Sequence, residues 1–528
     1  MTEPGRIARL RRSAVALAGS LAVAVVIGLM ASRMQLFDGS QAPAFLVTTL
    51  LAWLLFGLAM ALLRRVPDRA VPAVVLIGAV FVGGAALAGP PNTSTDSARY
   101  SWDGILQNAG VSPYAEVPAA EALAPYRTDW LFPTTRIFEN GTLECAGLRI
   151  DNTRTVPGDL PLCTAINRPQ VPTIYPPTAE LYFAAVRAVV PVEAEYWPFQ
   201  VGGLLVSLAV TVMLLLALRR RDARESARGG AGESSAGEST GERARGGAGE
   251  SSAGESTGER WRSARWAAAW GWCPFVATEA VTNSHVDVLG AALALAGSLV
   301  VVSAVRRRRP GVVDATGRST PGARERLRLL LGGILLGAAV ATKLVPAIAM
   351  PPLLRVRGAW LMVIASLGAF AALYIPFVVQ SGPGVLGYLP GYLGEEGYED
   401  GSAFALISLV VPGPLAVVPA AILLAVTAVL CLRHADPAAP WVAQTVLIGT
   451  TLIVVSPRYG WYALLLIPFI VLSRRWEWFV VPLALSLDVI AQSVLFTRLS
   501  LLVAATVVLG GWTMRRALPD AFRPVSTS

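Results

Sequence analysis

The sequence predicts an all-α integral membrane protein, a polytopic helical bundle of about 12–14 transmembrane segments with one large extracytoplasmic loop. Three observations lead there. The 528 residues are 54% hydrophobic, and apolar runs long enough to cross a hydrocarbon core recur along the chain. Arginines gather in short runs between those stretches, the pattern of cytoplasmic loops. One long polar segment, 90–195, interrupts the apolar alternation. The net charge of +9 is spent on that topology, which leaves no basic stripe for nucleic acid.

Met1–Ser13 carries Arg6, Arg9, Arg11 and Arg12 ahead of an apolar run from Ala14 to Ala31. That run exceeds a signal-peptide core, so a retained first helix with its N-terminus inside is expected. A second span covers Pro43–Leu63 and ends at Arg64, Arg65 and Arg69; a third, Val71–Gly89, returns outward. In the loop that follows, Pro113-Tyr114 and the run Asn167–Pro177 forbid continuous helix. Thr178–Val190 has one apolar face and is too short to span, which predicts an interfacial helix. A fourth span, Tyr196–Leu218, leads inward to Arg219-Arg220-Arg221.

A tandem repeat then occupies Ala227–Arg243 and Ala244–Arg260. Its Gly/Ser/Glu/Arg composition cannot bury a core and predicts a flexible cytoplasmic linker. Beyond it, spans are expected at Trp266–Val281, Val288–Val305, Leu329–Val345, Gly358–Val379, Pro414–Leu432, Val442–Val455, Tyr462–Leu472, Phe479–Gln492 and Leu499–Trp512. Pro346 should break the chain after Lys343 into two half-length helices, a device tolerated where protein or a cavity satisfies the backbone. The expected divisions are 1–89 (three helices), 90–195 (extracytoplasmic loop), 196–218 (one helix), 219–263 (cytoplasmic linker), 264–516 (helical bundle) and 517–528 (tail). Both termini lie in the cytoplasm on this reading.

The chemistry-bearing residues fall on the outer side of that topology. Asp96 and Asp103 flank Arg99, Tyr100 and Trp102 just after the third span. His285, Asp287, Lys343, Glu395, Glu396 and Arg458 lie in later outward turns, and Lys343 is the only lysine in the chain. Ionisable groups at a membrane are costly and mark functional sites by default. The bland alternatives are a turn cap for Asp103, a helix-hairpin closure for His285 and Asp287, a snorkelling Lys343 and an interfacial anchor for Arg458. Carboxylates can take a proton from an attacking hydroxyl, while Arg and Lys stabilise a phosphate leaving group; together they suit glycosyl transfer. Neither a zinc spacing nor a nucleotide-type glycine loop is present, which favours a lipid-linked donor, no metal and no cofactor. Asp96 is the preferred general base, being nearer the membrane surface, with Asp103 the second candidate. Cys145 and Cys163, both in the outer loop, are expected to form a disulfide; Cys273 and Cys431 sit in apolar spans as small buried hydrophobes.

These residues resemble a known pattern. Asp96 with Arg99-Tyr100, Trp102-Asp103-Gly104, Gly110, Pro113-Tyr114 and Thr173-Ile174-Tyr175-Pro176-Pro177 come first. His285-Val286-Asp287, Ala341–Pro346 and Ser456-Pro457-Arg458-Tyr459 with Trp461-Tyr462 follow in order. The set is similar to the GT-C superfamily of polytopic glycosyltransferases, and most closely to actinobacterial polyprenol-phosphate-mannose-dependent α-mannosyltransferases of the glycosyltransferase family 87 type. That resemblance implies a mannosyltransferase of cell-envelope biosynthesis. Its donor would be a polyprenyl-phosphate sugar and its acceptor an extracytoplasmic glycolipid or glycan. It points to Asp96 as base and to Arg99, Tyr100, Tyr175, His285, Asp287, Lys343 and Arg458 as substrate or lipid-phosphate contacts. The cysteine-bearing insert Glu139–Cys163 is outside the pattern. The rival readings are a transporter or flippase of lipid-linked glycans, which would want mid-membrane charges and a helical repeat, and a glycan polymerase or ligase.

The topology is open to direct test. In single-cysteine variants, an impermeant thiol reagent should label positions in 90–177 in intact cells and spare a cysteine at Ser235; labelling at Ser235 contradicts the arrangement.

Overall fold

The computed structural model describes residues 3–139, 141–154, 160–236, 261–306 and 321–517. Helices α1 (Glu3–Arg33), α2 (Ala42–Leu63) and α3 (Val71–Ala85) follow the first three expected spans closely. In the loop segment, α4 (Asp96–Asn108) packs across α5 (Pro177–Arg187). Gly104 makes that crossing possible, since a Cβ there would fall against the Phe183 carbonyl. Helix α6 (Trp197–Ala236) runs on well past Leu218, and the remainder of the tandem repeat lies outside the described residues. The backbone N–H of Ser263 donates to the Asp222 carboxylate at 2.7 Å, fastening together the two ends of the stretch that carries the repeat. Further helices are Asp287–Arg306, Ala323–Val340, Ala359–Ser381, Val417–His434, Trp441–Val455, Ile467–Ser473, Val480–Ala491 and Val494–Ala517.

Among the described residues, eight helices are long and apolar enough to cross a membrane, and strand is confined to two short hairpins. Several other expected spans are short or broken. Trp441–Val455 and Gly460–Ser473 are apolar but brief. Trp266–Val281 is the clearest departure. It is a 3₁₀ turn (Ser263–Ala267), a single α turn (Ala268–Gly271), a break before Pro274, and a π-helical turn at Ala277–Thr282. Pro274 lacks an N–H and restricts the residue before it, so the helix cannot run through. The segment is packed inside the bundle: Trp270 and Trp272 are fully buried, and their indole N–H groups donate to the Ser207 and Val75 carbonyls at 3.0 Å. After Lys343 the expected second half-helix is two 3₁₀ turns, Val345–Ala349 and Pro351–Arg355, because Pro346, Pro351 and Pro352 remove successive donors.

The insert is built from two hairpins. Arg136–Ile137 pairs with Leu143–Glu144, and Asp151–Asn152 with Cys163–Thr164, both antiparallel. Cys145 and Cys163 form a disulfide across it, while Cys273 and Cys431 are buried free thiols.

One set of buried amide and hydroxyl contacts positions everything that follows. Gln200 on α6 donates to the carbonyls of Gly89 and Thr282 at 2.8 and 2.9 Å. Thr282 donates to Ala86 at 2.9 Å, and Asn283 Oδ1 accepts from the backbone N–H groups of Asn92 and Thr93 at 3.0 and 3.1 Å. The chain leaving α3 is thereby tied to the π-helical turn. Gly203 lets α6 approach that turn so closely that a Cβ would run into the Ala280 carbonyl oxygen. Gly203→Ala should cost about 1–3 kcal/mol through overpacking; a lowered melting temperature of the detergent-solubilised protein is the expected readout, and an unchanged one refutes the packing.

Candidate active site

Asp96 is the first residue of α4, where the helix N-terminus favours a negative charge. Its Oδ1 accepts from Asn167 Nδ2 at 2.5 Å and its Oδ2 from the Tyr175 hydroxyl at 3.3 Å. The same Oδ2 faces His285 Nδ1 at 3.6 Å, and His285 Nε2 faces Glu279 Oε2 at 3.3 Å. The imidazole is fully buried and stacked on Trp461, ring centres 3.7 Å apart. Burial alone raises the Asp96 carboxyl. The close approach and charge of His285, with help from Lys343 and Asn167, outweigh it and bring Asp96 down to about 2. Burial likewise disfavours a charged His285, but the two carboxylates carry it up to about 9. Both shifts favour the charged forms, a carboxylate facing an imidazolium.

Around this pair lies a cavity of about 890 Å³. Its lining includes the charged and polar side chains of Asp96, Arg99, Arg149, Asn167, Arg168 and Lys343. It also includes the apolar side chains of Leu344, Ile348, Leu386, Ile448 and Leu452. Lys343 Nζ bonds Asp287 Oδ2 at 2.9 Å and sits 4.3 Å from the centre of the Tyr462 ring. Arg168 adopts the left-handed region (φ 50), unusual for a side chain of its size. It bonds Glu395 at 2.8 Å and the Tyr459 hydroxyl at 2.9 Å.

The model of glycosyltransferase family 87 matches residues 173–457, just over half of the chain and including Tyr175, Glu279, His285, Asp287 and Lys343. The chain belongs to glycosyltransferase family 87. No curated protein sequence and no solved structure matches it. This family 87 glycosyltransferase therefore has Asp96 and Arg99 ahead of the matched region, joined to it by the contacts to Tyr175 and His285.

The positions singled out in the sequence of this family 87 protein separate in space. Asp96, Arg99, Tyr175 and Lys343 line the cavity, with His285 and Asp287 directly behind Asp96 and Lys343. Tyr100 is buried in an aromatic stack on Phe183, 4.3 Å away, and is not a lining residue. Arg458 is exposed beside Glu395 and Glu396, off the cavity wall. The disulfide insert brings Arg149 and Asp151 to the rim. Asn167, Arg168 and Glu279 are site residues that the sequence reading did not assign to the site, and Trp461 was named there only as part of a motif. Glu279 carried the one usable signal, a carboxylate inside an apolar run.

Asp103 has different surroundings from Asp96. It is fully buried, and Arg99 Nε donates to both its oxygens at 3.0 and 3.1 Å. Glu180, also fully buried, accepts from Thr173 at 2.8 Å and Gln107 at 2.7 Å. Arg99 pairs with Asp103, while Glu180 is held by neutral donors. Burial, and then the charge of Asp103, push Glu180 well above the usual carboxylate range. This arrangement sets Arg99 in place and joins α4 to α5. Glu180→Gln should then be close to neutral in thermal stability. Asp103→Asn, which leaves Arg99 without its counter-charge, should cost about 3–5 kcal/mol. Equal losses in the two variants would show that Glu180 is ionised.

Proposed function

We propose that this protein transfers a sugar, mannose by preference, from a polyprenyl-phosphate donor to a glycolipid or glycan acceptor on the extracytoplasmic face of the cell membrane. The observation that carries the proposal is the placement of Asp96, with His285 behind it, in the wall of a cavity lined by cationic and by apolar side chains. An isoprenoid chain suits the apolar side chains of the lining, and Lys343, Arg99 and Arg168 suit its phosphate. The resemblance of the residues noted above favours mannose and the lipid carrier.

In this reading the acceptor hydroxyl attacks the anomeric carbon while the bond to the phosphate oxygen breaks. Asp96 accepts the hydroxyl proton, and Lys343 with the guanidinium groups takes up the charge of the departing polyprenyl phosphate. A carboxylate of such low basicity serves best late in bond formation, when the attacking oxygen has become acidic. His285 keeps it ionised and oriented. A protonated His285 is present below about 9 and lost above it, so transfer should decline on the alkaline side as pH passes that value.

The test uses membranes or purified enzyme with radiolabelled polyprenyl-phosphate mannose. Asp96→Asn should lower transfer about 10²–10⁴-fold while inserting normally, and Asp103→Asn should act through loss of folded protein. Retained activity in a well-folded Asp96→Asn variant refutes the base assignment. Transfer from another lipid-linked sugar in preference to mannose corrects the donor alone.

A further inference from the structure

The mechanism above leaves Glu279 unused, although it is built into the site as deliberately as Asp96. It lies in the π-helical turn Ala277–Thr282, and such turns widen a helix and redirect its side chains. The backbone then bends back, so that the His285 N–H donates to the Glu279 carbonyl at 2.9 Å. Ser284 adopts a left-handed conformation (φ 58) that sets the angle of the next residue. As a result the Glu279 side chain comes up under the edge of the ring opposite Asp96. Trp461 closes the ring face.

Neither ring nitrogen of His285 makes a formed hydrogen bond, and both are buried. Each instead faces one carboxylate oxygen, at 3.3 Å on the Glu279 edge and 3.6 Å on the Asp96 edge. A buried imidazole with two unpaired polar atoms is costly. A ring placed between two carboxylates is stable there chiefly as the cation. We infer that Glu279 is a positioning residue of the transfer reaction, holding His285 from behind so that its Nδ1 edge stays against Asp96. This rests on the reading of Asp96 as the base. The other titratable groups of the cluster are Asp287 with its partner Lys343, and the phenols of Tyr100 and Tyr175. Asp287 is engaged by Lys343, which leaves Glu279 as the second carboxylate available to the ring.

Glu279→Gln keeps the size of the side chain and removes its charge. The expected result is a fall in kcat of about tenfold or more near neutral pH, with the donor KM little changed. The alkaline limb should move about one unit or more toward neutrality, since one unit corresponds to a tenfold change in protonation. Glu279→Asp should recover part of both. A merely structural role for Glu279 would lower the yield of folded enzyme without moving the pH profile, and that outcome overturns the inference.

A second measurement does not depend on the variant folding. The chain has two histidines, so His434→Gln leaves His285 as the single imidazole. Nitrogen-15 spectra of that otherwise intact protein should show both ring nitrogens protonated at pH 7.5. A neutral ring refutes the arrangement. Asp96→Asn is assayed in parallel. If it is inactive while Glu279→Gln matches the wild type in rate and pH profile, only the role of Glu279 fails. If Asp96→Asn is active, the underlying reading of the site fails.

Discussion

The site depends on a small set of buried amides. Gln200, Thr282 and Asn283 satisfy backbone groups of the segment leaving α3 and of the turn leading into the Asp287–Arg306 helix. Inside a bundle with little water, each of those backbone groups would otherwise stand unpaired at a cost of about 1–3 kcal/mol. The contacts therefore do more than close a gap in the hydrogen-bond inventory. They fix the separation of two chain segments far apart in sequence, one ending in Asp96 and the other carrying His285. A shift of either segment would separate the carboxylate from the imidazole before it disturbed the hydrophobic packing.

Charge is managed differently in the two carboxylate clusters of the loop. At Asp103 the charge is met by the Arg99 guanidinium, while Glu180, pushed upward by burial, is held by Thr173 and Gln107, which gives a joint between α4 and α5. At Asp96 and Glu279 the cation between the carboxyls is an imidazole, which can change its charge near physiological pH as guanidinium cannot. Asp96 also opens to the cavity, whereas Asp103 does not. In the proposed mechanism, sequence neighbours seven positions apart thus have separate tasks, structural for one and chemical for the other.

The bundle was legible because apolar length and arginine runs are set by the bilayer itself. Asp96, His285 and Lys343 were legible for a related reason: in an apolar chain, charged groups at helix ends stand out. The irregular pieces were not. Pro274 marked a break, but nothing local showed that Trp270 and Trp272 would be buried within the bundle, which makes Trp266–Val281 a packed irregular segment instead of a lipid-facing span. Asn167 and Arg168 read as turn residues because their partners, Asp96, Glu395 and Tyr459, are brought to them only by tertiary folding. Asp103 and Asp96 look alike in sequence, and burial against Arg99 is what separates them.

The use of arginine almost throughout has a practical consequence. Lys343 is the only lysine side chain in the protein, and it lines the cavity with a side chain that is only 19% exposed. Apart from the amino terminus, amine-directed chemistry therefore has a single target, and that target is inside the site. Reductive methylation or acylation becomes an occupancy gauge: the extent of modification at one peptide reports whether anything fills the cavity around Lys343, whatever the identity of the occupant and without any turnover.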